Sequence, residues 1–164
     1  MNIRFAFSRK ILAASLAVAA VGALALPALS ATPAETVKLR QETMKQLGGH
    51  MKAIKGFAME GQGSAEDVAK RAGEIGEIAE RIPSLFPEGT GMDEVLDPKN
   101  GAKPEIWLDW DNFLKARASL EAQSRALAAA AGGGDQAAIR AAFQSLGKNG
   151  CGNCHKPYRI KLEK

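Results

Sequence analysis

The chain has 164 residues, of which 22 are Lys or Arg and 18 are Asp or Glu, and 46% of its residues are hydrophobic. Three of the basic residues, Arg4, Arg9 and Lys10, precede every acidic one, so the chain beyond residue 31 carries 19 basic and 18 acidic residues. A nearly neutral domain gives no electrostatic reason to expect nucleic acid or an anionic membrane as a partner.

The N-terminus has the pattern of a secretory signal peptide. The basic start is followed by an apolar run over residues 11–26, then by Pro27 and the small residues "ALSA". The run is short for a membrane span and ends in a cleavage pattern. We therefore predict that residues 1–31 are a signal peptide cleaved after residue 30 or 31. The mature protein is then periplasmic without a membrane span, and residues 32–164 form one domain.

Two helices are predicted in the first half of that domain. An apolar stripe with a spacing of seven residues predicts a helix from Pro33 to Glu60, ended by a pair of glycines. Ser64 opens a sequence like a capping box and predicts the start of a second helix, which Pro83 ends. The predicted inner face of the second helix consists of Val68, Ala72, Ile75, Ala79 and Ile82.

Two more helices are predicted after a long connection over residues 83–103. Pro104 suits the first position of a third helix that runs to the glycines at 132–134, and Asp135 is a candidate N-cap for a fourth. The predicted apolar residues of these helices are Trp107, Trp110, Phe113, Leu120, Leu127, Ile139, Phe143 and Leu146. Two short turns and one long crossover predict an all-α fold, an antiparallel four-helix bundle.

The segment "NGCGNCHKPYR" contains the only two cysteines of the chain, Cys151 and Cys154, followed at once by His155. Cys-x-x-Cys-His is the attachment pattern of c-type haem. Thiols at positions i and i+3 lie on one helix face, where they can form thioethers to one porphyrin, and the next residue can place its imidazole on the iron. We therefore predict one covalent haem c near the C-terminus.

Other uses of the motif fit less well. A zinc site would need His50 as a further ligand, because the chain has no second Cys-x-x-Cys and no His-x₃₋₅-His. A redox pair would be expected in a βαβ context, and a structural disulfide across three residues would constrain little of the unfolded chain. A thiol–disulfide protein without haem is the alternative of a different class.

The motif lies at the end of a helical chain, and here the sequence resembles the cytochrome c′ family of periplasmic four-helix-bundle haem proteins. The resemblance extends from "VKLRQETMK" through "SLFPEGTG" and "KPEIW" to "GCGNCHKPYR". It implies that Cys151 and Cys154 carry the thioethers and that His155 is the proximal iron ligand. It also implies that Arg159 lies beside the proximal imidazole and that Arg40 lies near a haem propionate. For each arginine the alternative is a solvated helix charge.

The family divides by the sixth ligand of the iron. Cytochrome c′ proper has a five-coordinate iron under an apolar side chain and binds nitric oxide or carbon monoxide there. Its low-spin relatives, of the cytochrome c-556 kind, place a methionine sulfur from the first helix on the iron. Met44 falls at that position, and the small residues Gly48 and Gly49 would let the helix approach the porphyrin. The resemblance is closest to the c-556 kind and implies that Met44 is the sixth ligand; the alternative is packing without ligation.

Two neighbours of Met44 compete less well for the iron. Met51 lies two helical turns further on, so it cannot share one iron with Met44. His50 falls on a different helix face, which favours a surface or interfacial histidine. Were His50 the ligand, the haem would be bis-histidine.

We therefore expect a monohaem electron carrier, not an enzyme, with His155 and Met44 as iron ligands; a five-coordinate, gas-binding cytochrome c′ is the alternative. Its redox partner proteins are not named by the sequence. Four lysines surround the motif: Lys148, Lys156, Lys161 and Lys164. They either steer an acidic partner or are ordinary solvated charges. The family often forms dimers through the first two helices, and a monomer and a homodimer both stay open here.

Overall fold

The computed structural model describes residues 31–162, so the predicted signal peptide lies outside the described residues except for Ala31. The helices are α1 (Pro33–Glu60), α2 (Ala65–Arg81), α3 (Glu105–Leu108), α4 (Trp110–Gly132), α5 (Gln136–Ser145) and α6 (Gly152–Tyr158). A 3₁₀ turn (Ile82–Leu85) follows α2, and a π-helical segment (Leu146–Cys151) joins α5 to α6. The four arms of the bundle are α1, α2, α4 and the continuous unit from α5 to α6. Among the described helices, none is both long enough and apolar enough to cross a bilayer.

Helix α1 has the predicted bounds because both of its ends are capped. The hydroxyl of Thr32 accepts from the backbone N–H of Glu35 at 3.3 Å, and the Glu35 carboxylate accepts from the backbone N–H of Thr32 at 2.7 Å. This reciprocal pair is a capping box. At the other end Gly61 has a φ of 70°, a left-handed conformation that glycine adopts without a Cβ penalty.

Helix α2 buries the face that its sequence predicts. The five predicted inner residues of α2 and the turn after it are at most 3% exposed. The helix packs mainly against α4, where Gly76 faces Ser124: a Cβ at Gly76 would lie 3.0 Å from the Ser124 hydroxyl. Close approach of these two helices therefore depends on a small residue on each side.

The predicted third helix is interrupted, which corrects the expectation of one helix from Pro104 onward. Asp109 has φ −130° and ψ 48°, outside the helical region, and separates α3 from α4. Contacts on both sides account for the break. The Trp107 indole donates to the carbonyl of Phe86 at 3.0 Å, and the Tyr158 hydroxyl donates to the Asp109 carboxylate at 3.3 Å. Tertiary contacts thus outweigh the local helical preference at this point.

The predicted fourth helix begins where expected but changes its hydrogen-bonding pattern before the cysteines. The carboxylate of Asp135 accepts from the backbone N–H of Ala137 at 2.8 Å and caps α5. The next turn is π-helical, a feature found frequently at functional sites. Gly150 in this segment packs tightly, because a Cβ there would lie 2.9 Å from Leu146 and 3.1 Å from Leu120 of α4.

The long crossover, residues 86–104, is organised by one buried amide. The side chain of Asn100 is 5% exposed and donates to the carbonyls of Gly91 at 2.8 Å and Val95 at 3.1 Å. Its oxygen accepts from the Arg40 guanidinium at 2.9 Å. A segment without regular secondary structure is therefore fixed internally and fastened to α1.

Replacing this amide tests how far the crossover depends on it. Asn100→Ala removes the amide's bonds to two crossover carbonyls and leaves one N–H of the buried Arg40 guanidinium without an acceptor, so we expect a loss of about 2–4 kcal/mol in the free energy of unfolding. Asn112→Ala removes an exposed amide bonded to Asp109 and is the matched control, with an expected change within about 0.5 kcal/mol. Urea unfolding of the holoprotein, followed by far-UV circular dichroism, measures both. Equal losses in the two variants would contradict the central role of Asn100.

Candidate functional site

A cavity of ≈ 480 Å³ lies between α1, the crossover, the beginning of α4 and the C-terminal motif. Its volume is within the range of small-molecule and cofactor sites, about 300–1,000 Å³. Much of its wall is apolar, formed in part by Leu47, Ile82, Ile106, Phe113, Leu120 and Leu162. All six residues singled out from the sequence line it: Arg40, Met44, Cys151, Cys154, His155 and Arg159. Residues more than a hundred positions apart in the chain thus share one space.

The motif is held against α4 by small and polar groups. Gly150 packs on Leu120, and the Ser119 hydroxyl donates to the carbonyl of Asn149 at 2.9 Å. The π-helical segment ends at Cys151 and α6 begins at the next residue. Both thiols are partly buried, and both line the cavity.

Burial makes the two thiols weak acids. Desolvation raises the pKa of Cys151, and desolvation together with the charge of Cys151 raises the pKa of Cys154 to about 11. Both cysteines are free. Reactive redox thiols usually have a lowered pKa, so these two lack the electrostatic character of a thiol–disulfide enzyme. Their environment agrees better with attachment to something in the cavity.

The surroundings of His155 favour its neutral form. The protein around the imidazole lowers its pKa by desolvation and, to a smaller extent, by the positive charge of Arg159, although the residue keeps an exposed edge. A neutral imidazole has a free lone pair, which a metal ligand needs. Arg159 itself is exposed, lines the cavity and forms an isolated backbone bridge with Ala102 of the crossover.

Arg40 is a buried cation, so the alternative of a solvated charge is wrong for this residue. It is 5% exposed and donates to the carbonyl of Thr90 at 2.8 Å and to the amide oxygen of Asn100 at 2.9 Å. Its guanidinium carbon lies 4.4 Å from the centre of the Phe86 ring, a cation–π distance. Burial lowers the pKa of Arg40 to about 10, which leaves it protonated at neutral pH. Within residues 31–162 it has no carboxylate partner.

Helix α1 contributes one face to the cavity, with Met44, Leu47, Gly48 and Met51 at helical spacing. The three larger side chains are partly buried. A Cβ at Gly48 would meet nothing within 4 Å, so this position faces open space. Gly49 lies outside the lining, and the expectation that two glycines bring the helix close to a ligand fits only Gly48.

His50 points away from the cavity. Its Nδ1 lies 3.2 Å from a carboxylate oxygen of Glu74 on α2, but the geometry is not that of a hydrogen bond and both ring nitrogens are buried without partners. The predicted placement on a different helix face agrees with this position. His50 is not in the lining and does not compete with Met44 for the same space.

The crossover and two aromatic side chains of the site were not predicted from the sequence. Phe86, Asn100 and Tyr158 line the cavity, and Thr90 holds Arg40 behind it. Tyr158 is 6% exposed, and burial, together with the negative charge of Asp109, raises its pKa. The segment "SLFPEGTG" belongs to the family resemblance and so indicated that this region matters. Its composition does not reveal which of its residues contacts Arg40 on α1, more than 40 positions earlier in the chain.

The chemistry of the lining fits a covalently attached haem. Two thiols and a neutral imidazole come from one short stretch of chain, as thioether attachment and iron ligation require. The remaining wall is largely apolar, which suits a porphyrin face. The buried guanidinium of Arg40 lacks a carboxylate partner among the described residues, so the cavity favours a ligand that carries negative charge.

Two relatives are similar to this chain over most of their length. The chain is 37% identical over 145 residues to cytochrome c′ of Rhodospirillum rubrum, covering 87% of this chain and 95% of the relative. It is 34% identical over 121 residues to cytochrome c-556 of Agrobacterium tumefaciens, covering 73% of this chain and 90% of the relative.

Solved structures with the same fold are also cytochromes c′. The protein from Thermochromatium tepidum matches with a TM-score of 0.67 and 30% identity, covering 80% of this chain and 98% of the other. A variant from Alcaligenes xylosoxidans, determined as its nitric oxide complex, matches with a TM-score of 0.68 and 28% identity, covering 80% and 98%. A cytochrome c′ described for ligand-controlled dimer dissociation matches with a TM-score of 0.70 and 28% identity, covering 80% and 99%.

The model of the family described as Cytochrome C′ matches residues 35–159. That range begins in the first turn of α1 and ends just after α6, so it includes the whole bundle and nearly all of the cavity lining. The fold, the Cys-x-x-Cys-His motif and these matches agree, and the chain belongs to the cytochrome c′ family of monohaem proteins, which bind haem c covalently.

Proposed function

We propose that this protein is a periplasmic haem protein that takes up a neutral diatomic gas such as nitric oxide. Cys151 and Cys154 attach the haem, and His155 holds it from the α6 side. The observation that carries the proposal is the single cavity that joins these three groups to the apolar face of α1. When bound, haem c supplies an iron centre that can exchange one electron and bind such a gas.

The apolar face of α1 supports gas binding. Met44, Leu47 and Met51 come from one helix face, are partly buried and offer no hydrogen-bond donor. They exclude water and do not favour a charged ligand, whereas nitric oxide and carbon monoxide are neutral and need no donor. One solved relative was determined with nitric oxide bound, and the two others compared with this chain are also cytochromes c′. On this proposal Met44 covers the cavity from α1 without binding the iron.

A second candidate is an electron carrier in which Met44 and His155 are both axial ligands. It is favoured by the position of Met44 in the cavity and by the cytochrome c-556 relative. A thioether ligand would raise the reduction potential and leave no vacant site for a gas. The two candidates differ in one contact only, and we assign neither of them an enzymatic reaction.

Export and assembly belong to the same proposal. Removal of residues 1–31 would deliver the chain to the compartment where haem is attached to Cys-x-x-Cys-His motifs. A homodimer is supported by the relative described for ligand-controlled dimer dissociation, and the family resemblance implies a contact through α1 and α2. Mass spectrometry of the exported protein gives the cleavage site, and light scattering with and without carbon monoxide gives the oligomeric state.

The absorption spectrum separates the two candidates. We expect a broad high-spin spectrum for the reduced wild type, which shifts when carbon monoxide is added. Met44→Leu keeps an apolar side chain of similar volume, so the spin state should not change. Met51→Leu is the matched control on the same helix face. A low-spin wild type that becomes high-spin only in Met44→Leu would instead establish methionine ligation.

Haem attachment tests the cysteines directly. Cys151→Ala and Cys154→Ala each remove one thioether, so we expect reduced covalent haem, measured by mass spectrometry after denaturation and by the pyridine haemochrome spectrum. His50→Ala lies outside the cavity and should retain the full haem content. A wild-type protein exported without any haem would sink both candidates and leave the thiol–disulfide alternative.

A further inference from the structure

The charges of this chain are distributed unevenly around the cavity. Four of the 19 basic residues beyond residue 31 line it, and none of the 18 acidic residues does: the four are Arg40, Lys45, Lys99 and Arg159. The rest of that part of the chain has 15 basic against 18 acidic residues. A nearly neutral protein is therefore polarised, with its positive end at the cavity.

The cavity opens where its lining is exposed, and this opening is largely cationic. The exposed lining residues, which we call the mouth, are Lys45, Gly48, Lys99, His155 and Arg159. The three cations come from α1, the crossover and the segment after α6. They converge from separate parts of the fold, so the charge is a property of the tertiary structure and not of one basic run in the sequence.

The mouth cations are not neutralised by ion pairs. Over the described part of the chain, Arg71, Lys103, Arg117 and Arg125 form salt bridges with carboxylates, whereas no mouth cation does. The acidic residue closest to Lys99 in the sequence is Asp97, whose carboxylate accepts from the backbone N–H of Lys99 at 2.7 Å and from Gln41 at 3.0 Å. That carboxylate is thus bonded to neutral donors of the protein.

The positive sign is retained when the haem carboxylates are included. Lys156 and Lys161 are exposed and flank the mouth residues in sequence. With the three mouth cations they make five exposed positive charges, against the two carboxylates of a haem. A cationic rim of this kind is suited to contact with an anionic partner.

We propose that the mouth is the docking surface for an acidic redox protein that exchanges an electron with the haem. A neutral gas is not attracted by charge, so the rim has no use in gas binding. A field of this sign increases the encounter rate of an anionic partner and decreases that of a cationic one. This inference rests on the proposed function, because the test measures electron exchange with a bound haem. The docking surface is expected whether the iron is high-spin or low-spin.

Electron exchange with small reagents of opposite charge tests the sign of this field. The holoprotein is reduced and mixed by stopped flow with hexacyanoferrate(III), an anion, or with tris(phenanthroline)cobalt(III), a cation, at low ionic strength. In each reaction one electron passes from the ferrous haem to the reagent. Lys45→Glu/Lys99→Glu should slow the anionic reagent about tenfold and accelerate the cationic one. Lys55→Glu/Lys70→Glu makes the same charge change at exposed positions outside the cavity and should alter either rate by less than about threefold.

Salt and a competing polyanion test whether the rate differences are electrostatic and whether an acidic chain binds at the mouth. The difference between the two double variants should disappear near 1 M salt, where the screening length is only about 3 Å. Poly-aspartate should slow the hexacyanoferrate reaction of the wild type but not that of the mouth variant. Equal changes in both double variants would overturn the proposal. So would mouth-dependent binding to phosphatidylglycerol vesicles without any effect of poly-aspartate, because the surface would then recognise a membrane.

These results are separable from a failure of the proposed function. Haem content is measured first, on the same samples, by the absorption spectrum. A chain without covalent haem contradicts the proposed function itself. A chain with full haem whose rates do not depend on the sign of the reagent contradicts only the docking surface.

Discussion

The cavity depends on one buried positive charge. A guanidinium removed from water is unfavourable unless its donors are satisfied and its charge has a counterpart. Arg40 meets the first requirement with neutral oxygens of Leu85, Thr90 and Asn100, and it lies over the ring of Phe86. All of these partners belong to the 3₁₀ turn and the crossover. The residue that carries the buried charge is therefore also the residue that attaches a long irregular segment to α1.

The crossover, once fixed to α1, lines part of the cavity and also holds the end of α6. Its residues from Lys99 to Ala102 line the cavity. The backbone N–H of Lys103 donates to the carbonyl of Tyr158 at 3.1 Å, and the N–H of Ile160 donates to the carbonyl of Gly101 at 3.0 Å. A Cβ at Gly101 would lie 3.3 Å from both Arg159 and Ile160, so a larger residue would force these neighbours to shift. The crossover therefore contacts both the end of α6 and Arg40 of α1. The position of the motif relative to α1 depends on this one segment.

The parts of this arrangement that could be predicted are those with local signals. The bounds of α1 follow from Thr32, Pro33 and Gly61, which act through contacts within a few residues. The motif is likewise local, since the use of Cys151, Cys154 and His155 depends on their spacing alone. The sequence was therefore enough to predict the attachment residues, and family resemblance added the predicted positions on α1.

The parts that could not be predicted depend on contacts distant in sequence. The break at Asp109 follows from bonds made by Trp107 and Tyr158, and nothing near Asp109 in the sequence disfavours a continuous helix. The partners of Arg40 are 45 to 60 residues away. Its hydrophobic neighbours indicate that a charge at this position needs a partner, but hydropathy cannot identify the partner. The π-helical segment contains Gly150, which packs on Leu120 of α4, and this is also a contact between residues distant in sequence.

The α1 face and the mouth of the cavity have opposite physical characters, and this would separate two kinds of ligand. On the α1 face, Met44, Leu47 and Met51 provide a surface that favours an uncharged group. At the mouth, Lys45 and Lys99 provide a long-range field to which only a charged group responds. On the proposed function, a gas would be selected by polarity, whereas a protein partner would be selected by charge before contact. A partner docked over the mouth would cover lining residues of the same cavity while it remains bound. Transient docking, the usual behaviour of weakly bound redox partners, keeps the two uses compatible.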